Sequence, residues 1–191
     1  MISDLVLSLF AFYFYFQHRI TSRKWSLFFL TLGLSAFTGG IYHGYYEIGE
    51  LFRFLSWGLL SASLYFAVLS VYHQYLNLLL KNIVLMKSLL LFFLSVYYVN
   101  FIFMVIDTAI SLLVIVVFGN FFFLKSLSKY ISYGILISLS SVVFIVFKIS
   151  FHPLYLTYND IGHYISILTL FLISKGVTQD YTKSLTKAIK V

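Results

Sequence analysis

Residues 82–124 read NIVLMKSLLLFFLSVYYVNFIFMVIDTAISLLVIVVFGNFFFL, a nearly unbroken apolar stretch. A membrane-crossing helix takes about 20 residues. The stretch is therefore too long for one crossing and right for two. The place of its turn stays open on sequence. Asn100 can mark it, which puts Asp107 inside the second helix of the pair. Alternatively Asp107-Thr108 opens that helix, since Asp is a favoured N-cap residue. Either way, two helices join the five that flank them.

Those five apolar segments cover about 2–17, 25–43, 53–73, 130–150 and 157–176. The fold expected is all-α: a polytopic membrane protein of seven transmembrane helices, one domain over 1–191. The basic tail, 177–191, reads as a short solvated helix or coil. The first segment lacks a basic leader and a small-residue cleavage site, so it reads as retained rather than as a signal peptide. Seven crossings use about 140 residues, which leaves loops and tails but no soluble domain. Composition agrees. Hydrophobic residues make up 61 % of the 191 and charged residues 10 %, with a mean hydropathy of +0.97. A soluble domain carries about 25 % charged residues, and so few charges do not cover a water-facing surface. That excludes a soluble enzyme, a disordered chain and a disulfide scaffold. Long continuous runs, rather than alternating strands of about 10 residues, exclude a β-barrel. Without cysteine there is no thiol catalysis and no thiolate metal ligation.

The net charge of +7 is chiefly a topology signal. With the N-terminus outside and the C-terminus inside, the inner side collects Arg19, Arg23, Lys24, Lys81, Lys87, Lys125, Lys129, Lys175, Lys183, Lys187 and Lys190. The outer side keeps only Arg53 and Lys148. This placement argues for membrane lipids as partners and against nucleic acid. The expected location is a bacterial inner (plasma) membrane. Acids run the other way: Asp4, Glu47, Glu50, Asp107 and Asp160 fall towards the outer side, and only Asp180 inside.

Ionisable groups within membrane segments are costly and tend to face the bundle interior. In the second segment Ser35, Gly39 and His43 are spaced by four and share a helical face, flanked by Thr38 and Tyr42. Gly39 and Gly40 suit close helix packing. The seventh segment opens Tyr158-Asn159-Asp160-Ile-Gly162-His163, which puts Asp160 and His163 at i, i+3. Asp160 also suits the helix N-terminus through the dipole. Both segment ends lie on the outer side, so His43, Asp160 and His163 converge if the second and seventh helices adjoin. His152, Glu47, Glu50, Asp107 and Asp4 lie at similar depth. Imidazole and carboxylate ligands suit zinc, and a catalytic zinc takes three protein ligands plus water. The metal candidates are therefore His43, Asp160, His163 and His152. Such a site suits hydrolysis of an amide or ester in a lipid head region. His18 and His73, at the inner helix ends, admit paired haems with His43 and His163 as a weaker idea. A retinal pigment is rejected because Lys175 stands at the inner end rather than in mid-helix.

These features resemble the alkaline ceramidase group: seven helices with the N-terminus outside, His43 ending the second, and an Asp/His cluster opening the seventh. That group belongs to a superfamily of seven-helix metal hydrolases that includes the progestin/adipoQ receptors. Asn159-Asp160-x-x-His163 also resembles a motif of bacterial membrane proteins distantly similar to that group. The resemblance implies an intramembrane zinc held by three His, helped by a Ser and an Asp, that hydrolyses a lipid amide. His43 matches its second-helix ligand and His163 the second His of its seventh-helix pair. The chain departs at Asn159, where the family has its other ligand, and at Gly39, where Ser is expected. No Asp opens the third helix, where Glu50 is nearest. The third ligand is then sought at Asp160, His152 or a glutamate.

The function expected is an intramembrane metal-dependent hydrolase of a lipid amide or ester. Zn²⁺ would sit on His43, His163 and Asp160. Ser35 or Thr38 would orient water, and Glu50 or Asp107 would be the base. The alternative is a non-enzymatic lipid-binding, transport or complex subunit, in which the same residues form an interhelical hydrogen-bond network.

Overall fold

The computed structural model describes residues 2–45, 49–72, 77–118, 128–152 and 156–189. Seven helices follow in chain order. They are α1 (Ile2–His18), α2 (Arg23–Gly44), α3 (Gly49–Tyr72), α4 (Leu78–Tyr97), α5 (Ile102–Thr108), α6 (Lys129–Phe147) and α7 (Tyr158–Ile189). The chain after α5 continues as a π-helical segment, Ala109–Phe118. The helices α2, α3, α4, α6 and Tyr158–Lys183 of α7 are long and apolar enough to cross a membrane. Large apolar side chains such as Leu90, Phe93 and Tyr97 of α4 are well exposed, as a lipid-facing surface requires and a water-facing one does not tolerate over such an area.

The turn within 82–124 falls at Asn100. Val99 takes the left-handed region (φ 51°), which ends α4, and the Asn100 side chain accepts from the Ile102 N–H (2.9 Å). Asp107 therefore lies inside α5 and not at its N-cap, buried and bonded across the bundle. Lys87, read above as an inner-side charge, stands in the middle of α4 and forms an ion pair with Asp107. Ser61 and Ser88 donate to the same carboxylate (3.3 and 3.4 Å). A cation inside an apolar helix takes the nearest anion rather than a membrane surface.

α1 packs against both α2 and α7. α2 packs on α3, and α7 on α6. The π-helical segment touches α3 and α6, while α4 packs against α3 and α5. The second and seventh helices are thus joined chiefly through α1. Small residues make this possible. A Cβ on Gly40 would lie 3.2 Å from Asp4 Cβ, and one on Gly39 3.2 Å from Ser56 Oγ. The core is built from Leu7, Phe14, Phe29, Leu64, Val68 and Ile173 and their neighbours.

The tail is helical, one of the two forms expected for it. α7 runs on without a break from Tyr158 to Ile189, and Val177 is buried. Gly176 lets the start of α6 approach: a Cβ there would stand 2.5 Å from Ile131 Cγ1. Asp180 accepts from the Ser128 N–H (3.0 Å), satisfying a free donor at the N-terminus of α6. Val177 and Asp180 thus pack on the start of α6, while Thr178 and Gln179 between them are exposed.

Candidate functional site

The start of α7 is fixed by a capping box. Thr157 N–H and its hydroxyl both donate to Asp160 Oδ2 (3.0 and 2.6 Å). The Asp160 N–H donates back to Thr157 Oγ1 (3.4 Å). The other Asp160 oxygen accepts from Ser3 Oγ at 2.5 Å. Ser3 Oγ also lies 3.0 Å from His163 Nδ1. With Ser3 donating to Asp160, its oxygen is left to accept from Nδ1–H, so that the neutral imidazole in this arrangement carries its proton on Nδ1 and its lone pair on Nε2. His163 Nε2 faces Asp4 Oδ1 at 3.5 Å. Asp4 is buried at the start of α1, and the missing side chain of Gly39 leaves room for its carboxylate, which a Cβ would approach to 3.5 Å.

Asp4, His43 and His163 line one cavity of about 540 Å³ at this end of the bundle. Ser35, Tyr42, Asn159, Arg53 and Lys148 line it too. His43 is exposed at the cavity mouth, its ring centroid 5.0 Å from that of Tyr42. Ser3 stands behind the wall, almost fully buried. The imidazole of His163 thus has a structural side, Nδ1 on the Ser3–Asp160 relay, and a cavity side, Nε2 beside Asp4.

The residues singled out in the sequence are only partly gathered here. His43 and His163 share the cavity. Asp160 reaches His163 through Ser3, with both its oxygens already accepting, so it orients rather than faces the cavity. His152 is exposed in the α6–α7 loop, where its backbone pairs with Leu156, and it is not among the cavity-lining residues. Ser35 donates to the Ser56 carbonyl (2.8 Å) and Ser56 to the Ser35 carbonyl (2.9 Å), a reciprocal clasp between α2 and α3. Thr38 bonds back to its own helix at Leu34 and Ser35. Glu50 is exposed and pairs with Arg53. Asp107 belongs to the separate Lys87 cluster. Glu47, His73 and Lys125 lie outside the described residues.

His18 sits at the opposite end, buried, with Nε2 2.7 Å from Ser174 Oγ and its ring stacked on Phe29. It serves there as a packed polar link between α1 and α7.

Two further site residues, Ser3 and Asp4, come from the first turn of α1. Asp4 has a sequence signal, an acid beside an apolar run. Ser3 has none, because its role exists only once α1 and α7 meet.

For zinc, two donors are in place. Ligands sharing one zinc at about 2.0–2.1 Å each stand roughly 3–4 Å apart, which is the His163 Nε2–Asp4 Oδ1 separation. Among the described residues, no three of His, Cys, Asp and Glu form a group able to hold a metal ion. His163 and Asp4 are thus two donors and His43 lines the same cavity, short of the three protein ligands that a catalytic zinc takes.

Residues 1–182 match a family of unknown function (DUF6962). No curated protein and no solved structure matches the chain.

Proposed function

The chain belongs to the DUF6962 family, and we propose that it is an intramembrane hydrolase of a lipid amide or ester. The observation that carries this reading is the setting of His163. One nitrogen is held by the Ser3–Asp160 relay, and the other faces a cavity beside a buried carboxylate. An imidazole with its tautomer fixed on one side and a free lone pair on the other is a general base in waiting. The 3.5 Å gap to Asp4 is too long for a good direct hydrogen bond and suits a water held by both groups. In the proposed reaction that water attacks the substrate carbonyl while its proton passes to His163 Nε2. His163 then returns the proton to the departing amine or alkoxide. Asp4 balances the transient imidazolium.

The likeness to ceramidase-type hydrolases adds zinc to the proposal. His163 and Asp4 are the residues that would hold it, and its contribution would be a more acidic bound water.

All seven helices are proposed to cross the membrane, N-terminus outside. α1 and α5 with its π-helical continuation each have a length near the short limit of about 17 residues for a span. The bacterial plasma membrane is the proposed location.

The test is turnover of a panel of lipid amides and esters by purified protein. His163→Ala is expected to lower the rate at least about 100-fold, and Asp4→Asn to lower it as well. Absence of turnover across the panel, or full activity in His163→Ala, overturns the reading. Zinc is tested by metal analysis: below about a tenth of an equivalent, unchanged in His163→Ala and Asp4→Asn, removes the metal from the proposal.

One observation favours a second reading. The Asp160 carboxylate is wholly engaged by Ser3 and Thr157, as expected of an interhelical network in a lipid-binding or transport subunit. Binding without turnover selects it.

A further inference from the structure

The end of the bundle that holds the cavity is poor in cations. Arg19, Arg23, Lys24, Lys81, Lys129, Lys175 and Lys183 stand at the opposite end. Among the described residues, Arg53 and Lys148 are the basic side chains on the cavity end, and both line the cavity. They come from α3 and from the C-cap of α6, far apart in sequence, and the fold brings both to the lining of one cavity. We propose that they seat the phosphate of an anionic phospholipid headgroup, so that the substrate class is an anionic lipid amide or ester. The substrate half of this statement rests on the hydrolase reading; the headgroup half stands without it.

Each residue is held in a way its own helix does not need. The Arg53 guanidinium lies 5.6, 5.0 and 5.5 Å from the ring centroids of Tyr42, Phe54 and Trp57. Its side chain is only 15 % exposed. Glu50 takes one of its terminal nitrogens, and its Nε–H is buried with no hydrogen-bond partner among the described residues. A donor left open beside a cavity, on a rigid planar fork, suits a phosphate oxygen. Lys148 is the C-cap of α6 in the left-handed region (φ 51°, ψ 38°), a place where glycine or asparagine is the usual residue. A lysine there sacrifices backbone ease and gains a cation at the cavity mouth.

Of the two permanent cations on the cavity, Arg53 shares its guanidinium with Glu50, and Lys148 is an exposed ammonium at the rim. A phosphodiester, with one negative charge, is offered a directed donor from the first and a point charge from the second. Deeper in, Leu7, Leu32, Ala36, Leu60 and Ile145 line the wall and offer an apolar path for the start of an acyl chain.

Trp57 lines the cavity beneath Arg53, and the chain has only one other tryptophan, Trp25. The experiment uses the full chain with Trp25→Phe in uncharged detergent micelles, following Trp57 fluorescence. The probes are short-chain phosphatidylglycerol, matched phosphatidylcholine and inorganic phosphate. A saturable change is expected at about tenfold lower phosphatidylglycerol than phosphatidylcholine, and Arg53→Gln and Lys148→Gln should each raise that midpoint about tenfold. Arg53 is packed among rings, so Lys148→Gln, exposed and outside the packed core, decides the matter if Arg53→Gln does not fold. Equal midpoints for the two lipids, or a midpoint unmoved by Lys148→Gln, overturns the headgroup site. Inorganic phosphate binding as tightly as phosphatidylglycerol overturns the lipid and leaves a soluble anion. Selective binding with no turnover of any lipid amide or ester sinks the hydrolase reading and keeps the headgroup site. Turnover indifferent to headgroup charge does the reverse.

Discussion

Ser3 serves two partners at once: it donates to Asp160 and accepts from His163. Removing its hydroxyl leaves both the Asp160 oxygen and the His163 nitrogen short of a partner. One interhelical hydrogen bond in a membrane averages about 0.6 kcal/mol, but stranding two buried polar atoms costs more. Ser3→Ala is therefore expected to lower stability by about 1–3 kcal/mol, measured by unfolding in mixed micelles. It should also cut turnover while leaving lipid affinity nearly intact, because Ser3 is behind the cavity wall. A variant as stable and as active as the parent contradicts the relay. At this scale the sequence was only half legible. His163 and Asp160 announce themselves as an i, i+3 pair in an apolar segment. The direct partners of His163 lie about 160 positions away, and no local spacing can reveal them.

Between elements, the Lys87–Asp107 pair joins α4 to α5, with Ser61 of α3 donating to the carboxylate and Ser111 accepting from Lys87. It lies in the middle of the helices, where water cannot reach a lone charge. Breaking such a pair from one side costs about 3–5 kcal/mol, while removing both charges is often nearly neutral. Lys87→Met is accordingly expected to destabilise strongly, and Lys87→Met combined with Asp107→Asn to recover most of the loss. Thermal unfolding in bilayer discs reads this, and a double variant no better than the single one would refute the pairing. The apolar run of 82–124 reads plainly as two helices, because continuous hydrophobicity over that length has no other use in a membrane. Its turn does not read plainly, since Asn100 and Asp107 are both acceptable N-terminal residues. The outcome rests on Lys87: paired with it, Asp107 is stable inside a helix.

For the whole molecule, the proposed orientation follows from the charge distribution. Among the described residues, eight basic residues stand at the inner end once Lys87 is set aside, against Arg53 and Lys148. The chain has no cysteine, so single cysteines report sidedness directly. Ile20 and Phe151 are well exposed (87 and 71 %) in loops at opposite ends. In intact cells, Phe151→Cys should react with an impermeant maleimide and Ile20→Cys should not. The opposite pattern would invert the proposed topology. The sequence by itself determined that the chain is a helical bundle for an apolar solvent, because composition and run length are properties of the unfolded string. It also put Asp4, His43, Asp160 and His163 at one end, since alternating helices fix which ends coincide. Only the tertiary structure decided that α1 packs against both α2 and α7, that Asp4 replaces Asp160 on the cavity side of His163, and that Arg53 and Lys148 line the same cavity. Those are facts of lateral packing, set by which small residues let which helices approach, and a one-dimensional pattern carries depth along a helix but not its neighbours.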